Sequence, residues 1–307
     1  MNKPLFSRRR LLGLASLSAL GAGSAFGATA ALPRDAVARA LRQLERRAGG
    51  RLGVAVFDAR AGAPAWGHRT DERFALCSTF KLLLAGAVLQ AVDQGRLAAD
   101  RWVPFGPADL VPHAPVTEAR LADGGMPLLA LAEAAQTTSD NVAANVLLPL
   151  LGGPDGLTAW LRAQGDAQTR LDRVEPAMNR VARGDERDTT TPAAMAGSAW
   201  RLALGDTLAP ASRERLVAWL VATATGRRRL RAGLPAGWRA GDKTGTGMGD
   251  GLPDRYNDVA VVWPPGRPPL AVAAYYESRH VDSPRLRAED EAVLAAVGRL
   301  VARWDGV

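Results

Sequence analysis

Lysine is nearly missing from this chain. Of its 39 basic residues only Lys3, Lys81 and Lys243 are lysines; the rest are arginine. The two residue types carry the same charge, but only the compact lysine ammonium readily gives up a proton when buried. Lys3 lies in the N-terminal segment, so Lys81 and Lys243 stand out as positions where arginine would not serve. Cysteine is down to one residue, Cys77, which excludes an intramolecular disulfide. Its simplest use is as a small buried packing residue. Three histidines, His68, His113 and His280, lack metal-ligand spacing, so no metal site is expected. After the first thirty residues no apolar run is long enough for a membrane span of about 20 residues. No repeat or low-complexity block occurs. No arginine run is interleaved with aromatics as a nucleic-acid surface would be, and Arg227-Arg228-Arg229 reads as a solvated helix end.

What is present is ordinary globular material: 307 residues, 47% hydrophobic and 23% charged, enough for one large or two small domains. Residues 1–30 read as an export signal. Ser7-Arg8-Arg9-Arg10-Leu11-Leu12 resembles a twin-arginine signal, an apolar stretch follows to Phe26, and Ala28-Thr29-Ala30 fits a small-x-small cleavage site. No cysteine lies near it to carry a lipid. The expectation is a soluble, Tat-exported, periplasmic or secreted protein without a stable membrane anchor, monomeric by default. Cleavage after Ala30 removes four basic residues and no acids, lowering the net charge from +8 to +4.

Periodicity places a helix over Pro33–Ala48, a strand over Leu52–Phe57, a turn at Ala59–Gly62 and a second strand from Ala65. A long, mainly helical middle follows, with Thr138–Leu151 apolar almost all round and therefore buried. Further helices are read at Asp155–Gln164, Thr191–Leu204 and Ala211–Thr223. Strands return at Trp238–Thr246, Asp258–Trp263 and Leu270–Tyr276, and Arg287–Trp304 is a closing amphipathic helix. Strands at both ends imply one sheet built from both termini. The expected fold is α+β: an antiparallel α/β sandwich formed by 31–76 and 224–307, with an all-helical domain over 77–223. Clefts between two such lobes favour binding sites.

Four short patterns carry chemistry. In Cys77-Ser78-Thr79-Phe80-Lys81 the serine and lysine are three apart at a helix start, so they share a face. Free N–H groups there favour a developing negative charge, and a lysine with a lowered pKa can take the serine proton. Ser139-Asp140-Asn141 opens the buried helix. Capping needs one of these residues, and a second hydroxyl and an amide are left for a proton relay and a substrate amide. Lys243-Thr244-Gly245-Thr246-Gly247 lies on a strand, where glycines let a ligand approach the backbone and Lys243 with the threonines binds an anion. Arg170 to Asn179 has neither helical nor strand period. It offers Glu175 and Asn179 as a carboxylate and an amide able to hold a water.

S-x-x-K, S-D-N, E-x-x-x-N within R-L-D-R-x-E-P, and K-T-G, in this order, resemble the class A serine β-lactamases. The likeness runs from about Pro33 to the C-terminus and includes Leu230 to Trp238. It implies a β-lactamase/transpeptidase-like fold and hydrolysis of the β-lactam amide of penicillins and cephalosporins, which gives antibiotic resistance. Ser78 would form the acyl-enzyme, with Lys81 or Glu175 as acylation base. Glu175 with Asn179 would activate the deacylating water, and Ser139 would pass a proton to the ring nitrogen. Asn141 would bind the acyl side-chain amide. Lys243, Thr244, Gly245 and Thr246 would bind the substrate carboxylate, with Arg229 as a further contact. The N–H groups of Ser78 and Thr246 would form an oxyanion hole, roughly 3–4 kcal/mol per donor in other hydrolases. Arg173 would pair with Asp188. No metal or organic cofactor is implied; the only partner is the small-molecule β-lactam, and no nucleic acid. Val174, His113, Gly247 and the long turn from Met248 to Arg255 depart from the common pattern. Two related readings share Ser78, Lys81 and Lys243: a penicillin-binding DD-peptidase or transpeptidase, which lacks a Glu175 loop, and a β-lactam sensor domain that acylates and stops.

Overall fold

A computed structural model describes residues 31–58 and 64–304. The proposed signal segment and the expected turn at Ala59–Gly62 lie outside the described residues. The elements run in the order α1 (Arg34–Ala48), β1 (Arg51–Asp58), β2 (Pro64–His68), β3 (Phe74–Ala75), α2 (Phe80–Asp93), β4 (Trp102–Pro104), β5 (Gly125–Pro127), α3 (Leu128–Thr137), α4 (Asn141–Leu147) and α5 (Gly153–Ala163). They continue with β6 (Thr189–Thr190), α6 (Pro192–Ala203), α7 (Pro210–Ala222), β7 (Arg239–Gly247), β8 (Pro253–Trp263), β9 (Leu270–Val281) and α8 (Ala288–Arg303).

Five strands form one antiparallel sheet in the order β2-β1-β9-β8-β7, so its strands come from both ends of the chain. Alternation along each strand sends successive side chains to opposite faces. Leu52, Val54 and Val56 of β1, with Ala260 and Val262 of β8, pack against Val37 and Leu41 of α1 and Leu294 and Val297 of α8. Their neighbours of opposite parity, Ala55, Val259, Val261, Ala273 and Tyr275, join the larger core with α2, α3, α4 and α6. Two separate apolar cores therefore clamp the sheet. β7 is an edge strand, and its outer edge faces the start of α2.

The helix α2 has no polar face. Eleven of its fourteen residues are buried, Lys81 among them, because α3, α4, α5, α6 and α7 surround it. The expected helix over Thr138–Leu151 is shorter than its apolar pattern. It begins at Asn141, capped by Asp140 through Ala143 N–H, and tightens into a 3-10 turn at Leu148–Leu151. Strands β8 and β9 extend beyond their apolar stretches into polar ends, which the alternation of charged residues hides. The arginine run is a correction. Arg228 is exposed, but Arg229 is buried at 2% exposure, and no helix ends there, since α7 stops at Ala222.

Candidate active site

Ser78 sits in a 3-10 turn, Cys77–Thr79, that leads into α2, one step earlier than the first helical turn expected for it. Cys77, buried just before it, takes a left-handed backbone with φ of 43°. His113, Ser139 and Asp188 share that rare conformation, with φ of 65°, 63° and 56°. Such strain in non-glycine residues collects where a fold holds side chains in place for chemistry. Burial pushes the Cys77 thiol up to about 12, so it is an inert packing residue and not a second nucleophile.

The Ser78 hydroxyl is half-buried and meets two groups. Its Oγ donates to Glu175 Oε1 at 3.0 Å and accepts from Lys81 Nζ at 3.0 Å. Lys81 Nζ is also 3.0 Å from Glu175 Oε1, with both side chains fully enclosed. It donates further to the Ser139 carbonyl at 2.9 Å and to Asn141 Oδ1. Burial holds the Lys81 ammonium below its ordinary value, opposed by the Glu175 charge. Burial also raises the Glu175 carboxyl, but Lys81, Ser78 and Asn179 outweigh it and leave the carboxyl below its ordinary value of 4.5. The pair is thus a buried carboxylate facing a weakened ammonium, with a serine proton between them.

Ser139 stands between two cations. Its Oγ lies 3.0 Å from Lys243 Nζ and 3.4 Å from Lys81 Nζ, both donors. With both lone pairs engaged, its own O–H is left to donate outward. Lys243 also donates to the Thr244 carbonyl at 2.8 Å. Burial, then the charge of Lys81, puts Lys243 well below its ordinary value. Asn141 Nδ2 donates to the Pro112 carbonyl at 2.7 Å, which orients the amide. The His113 carbonyl accepts from Asn141 N–H at 2.9 Å.

β7 approaches the nucleophile turn closely. A side chain at Gly245 would meet the Leu76 carbonyl at 2.9 Å and Cys77 Cβ at 3.1 Å, so glycine is required for this contact between strand and turn. The carbonyls of Asp242 and Thr244 point off the sheet edge, where Gln136 Nε2 and Lys243 Nζ bind them. Strand parity turns the Thr246 N–H to that same open edge, toward Ser78, whose own N–H lies in a first helical turn without an intrahelical partner. Arg229 lies beneath the strand. It donates to the Gly245 and Asn257 carbonyls at 2.7 and 2.8 Å and to Thr246 Oγ1 at 2.7 Å. Thr244 Oγ1 pairs with Thr225 Oγ1 at 2.6 Å.

The loop that bears Glu175 is tied at both ends. Asp188 Oδ1 accepts from the N–H groups of Asp172 and Arg173 at 2.7 and 2.9 Å, and its Oδ2 from Arg173 Nε at 2.5 Å. Asn179 Nδ2 donates to Glu175 Oε2 at 2.6 Å. Sequence reasoning missed Asn145. Its amide brackets the Glu175 backbone, donating to the carbonyl at 2.9 Å and accepting from the N–H at 3.0 Å. The signal was its place four residues after Asn141, one turn along the same face. Among the described residues no group of histidine, cysteine or carboxylates could hold a metal ion.

The sequence profile described as "Beta-lactamase enzyme family" matches residues 36–304. The chain is 45% identical to Beta-lactamase L2 of Stenotrophomonas maltophilia, over 98% of this chain and 100% of that one. It is 44% identical to the Carbapenem-hydrolyzing beta-lactamase KPC of Klebsiella oxytoca, over 97% and 98%. Among solved structures, a class A β-lactamase representing the last common ancestor of Gram-negative bacteria aligns with a TM-score of 0.80 and 55% identity, covering 87% of this chain and 98% of its own. A β-lactamase from Xanthomonas campestris aligns at 0.81 with 47% identity, covering 88% and 98%.

Proposed function

This chain belongs to the β-lactamase enzyme family, in its class A, and we propose that Ser78 is the nucleophile with which it opens β-lactam amides. The enzyme is a serine β-lactam hydrolase, and the reaction follows from the hydrogen bonds around that hydroxyl. A protonated Lys81 has no lone pair, so the Ser78 proton has one neighbour able to take it, Glu175 Oε1 at 3.0 Å. If Lys81 first passes its own proton to Glu175, it becomes the acceptor at the same distance. Either route makes the serine oxygen nucleophilic without a metal. The carbonyl oxygen gains charge between the N–H groups of Ser78 and Thr246. Ser139, its lone pairs held by Lys81 and Lys243, hands its proton to the leaving ring nitrogen. Lys81 then restores that proton and takes up the one Glu175 holds, 3.0 Å away, which leaves Glu175 a carboxylate again.

The acylated Ser78 has no proton left to donate, which frees Glu175 Oε1 to accept one from water. Asn179 helps to hold that water: its Oδ1 is buried and accepts no hydrogen bond among the described residues. The hydroxide attacks the ester carbonyl, and the proton held by Glu175 passes to the departing Ser78 oxygen. Asn141 offers its amide to the acyl side chain. Lys243, Thr244 and Thr246 take the substrate carboxylate, beside the Gly245 backbone. Arg229 acts on that carboxylate through Thr246 Oγ1, since its two Nη groups donate to Gly245, Asn257 and Thr246 and its Nε faces Glu291 at 3.5 Å.

The observation that carries the reading is the carboxylate at Glu175, in reach of Ser78 and braced by Asn179 and Asn145. A DD-peptidase or a sensor has no use for it after acylation. Mixing the Glu175→Ala variant with a penicillin should give one equivalent of adduct and then stall; steady turnover by that variant would remove Glu175 from the second step. We further propose two lobes, 31–76 with 224–307 and 77–223, meeting at this site. Penicillins and cephalosporins are the substrates, and the working protein is a monomer outside the cytoplasm, sent there by residues 1–30. No helix among the described residues is long and apolar enough to cross a membrane.

A further inference from the structure

The far half of the Glu175 loop has little apolar support. Val181 packs into a small cluster with Ala75 and Cys77. Beyond it, residues 182–186 line a cavity of about 650 Å³ together with Arg51, Arg73 and Arg255. What holds the loop here is polar and comes from the sheet. Arg255, in β8 just after the long β7–β8 turn, is 4% exposed. Its Nη1 donates to the Asn179 carbonyl at 2.8 Å, and its Nη2 donates to the Val181 carbonyl. A planar guanidinium fork suits two carbonyls on one stretch of chain. The turn adds an exposed pair, Asp250 with Arg180 at 3.0 Å, which contributes little.

We propose that Arg255 is a positioning residue for release of the acyl-enzyme. The linkage is short. Arg255 fixes the Asn179 main chain, and Asn179 Nδ2 fixes Glu175 Oε2 at 2.6 Å. The water-holding pair is thereby referenced to the sheet that carries Lys243 and Thr246. Among the described residues Ser78, Lys81 and Ser139 share no hydrogen bond or ion pair with Arg255, so acylation meets it only through the Glu175 carboxylate. A displacement of about 1 Å in a positioning group costs up to about 100-fold in rate. That loss falls mainly on the second step, because Lys81 stands 3.0 Å from Ser78 Oγ and can take its proton, whereas the water has only Glu175. The inference rests on the reading of Glu175 and Asn179 given above.

The test follows acylation and release separately, by rapid quench and intact mass with a chromogenic cephalosporin. The variants are Arg255→Ala, Arg255→Met, which keeps the buried stem but removes the fork, Asp250→Ala as a control, and Glu175→Ala. Arg255→Ala and Arg255→Met should release product at least about tenfold more slowly while acylating within about threefold of the parent. With release then limiting, kcat and KM fall together and kcat/KM holds. Asp250→Ala should stay within about twofold. A purely structural role predicts a lower Tm with the release constant unchanged, or kcat lost at constant KM; either result overturns the proposal. Should the alanine variant not fold, Arg255→Met is read alone by the same criteria. If Glu175→Ala stalls while the soluble Arg255 variants release at the parent rate, only the Arg255 inference falls. If Glu175→Ala turns over steadily, the reading of Glu175 falls with it.

Discussion

Lys81 sits at the crossing of the site, bonded to Ser78, Glu175, the Ser139 carbonyl and Asn141. Removing it leaves Glu175 buried without its counter-charge and Ser78 without a proton shuttle. Acylation by Lys81→Ala should fall about 10²–10⁴-fold, the usual weight of a positioned acid–base group, as read from the adduct-formation rate. The pH dependence has a definite sign. On the proposed mechanism Glu175 takes a proton from water only when ionised, and its carboxyl is held below 4.5. Release should therefore stay level as the pH falls to about 5 and drop only beneath the ordinary glutamate range. A midpoint near 6 would mean that Lys81 does not hold the carboxylate. These residues were legible in the sequence because each motif is short: three positions bring Ser78 beside Lys81, and three separate Lys243 from Thr246 along the strand. Asn145 and Arg255 were not. Asn145 meets Glu175 across 30 residues, and Arg255 meets the loop across 74 and 76, separations at which no local pattern speaks.

The decisive element is the loop from Arg170 to Asp188. It has no regular period to hold it, so named polar contacts do. Asp188, fully buried, accepts three hydrogen bonds from Asp172 and Arg173. Asp188→Ala leaves those donors and most of the Arg173 charge unpaired, and should cost about 3 kcal/mol in denaturant unfolding. Release should slow along with it. Strand β7 is the second such element. Its glycines were read in the sequence as room for a ligand, whereas at Gly245 the room is taken by Leu76 and Cys77. Gly245→Ala should push the strand from the nucleophile turn and widen the gap between the Ser78 and Thr246 N–H groups. A fall in acylation of about 10²-fold or more, matching loss of one oxyanion donor, is the expected outcome. Element types were readable from periodicity, but the start of α4 was not. The apolar pattern runs back to Thr138, while the left-handed Ser139 backbone, set by contacts across the site, delays the helix to Asn141.

The whole molecule stores charge inside the sheet. Burial raises the Asp242 carboxyl to about 6, against the pull of Arg231, which donates to it at 2.8 Å. Asp258, on the neighbouring strand, is raised well above its ordinary value by burial and then by the charge of Asp242. A carboxyl raised in the folded state stabilises most below its unfolded value, and that contribution is lost as the pH climbs through the folded value. Asp242 should thus favour the fold near pH 4 and progressively less up to about pH 6. Urea unfolding of Asp242→Asn should show a flatter profile than the parent across that window; equal slopes would refute the assignment. The same architecture, two apolar cores clamping one sheet, presents the β7 edge to Ser78 and so decides what the molecule does. That claim reduces to a serine ester made and then broken. The direct measurement is intact mass during reaction of the mature protein with several equivalents of a chromogenic cephalosporin. Colour should pass far beyond one equivalent, with a transient adduct on Ser78 and a return to the free mass. Colour that stops at one equivalent, with a lasting adduct, would contradict the account.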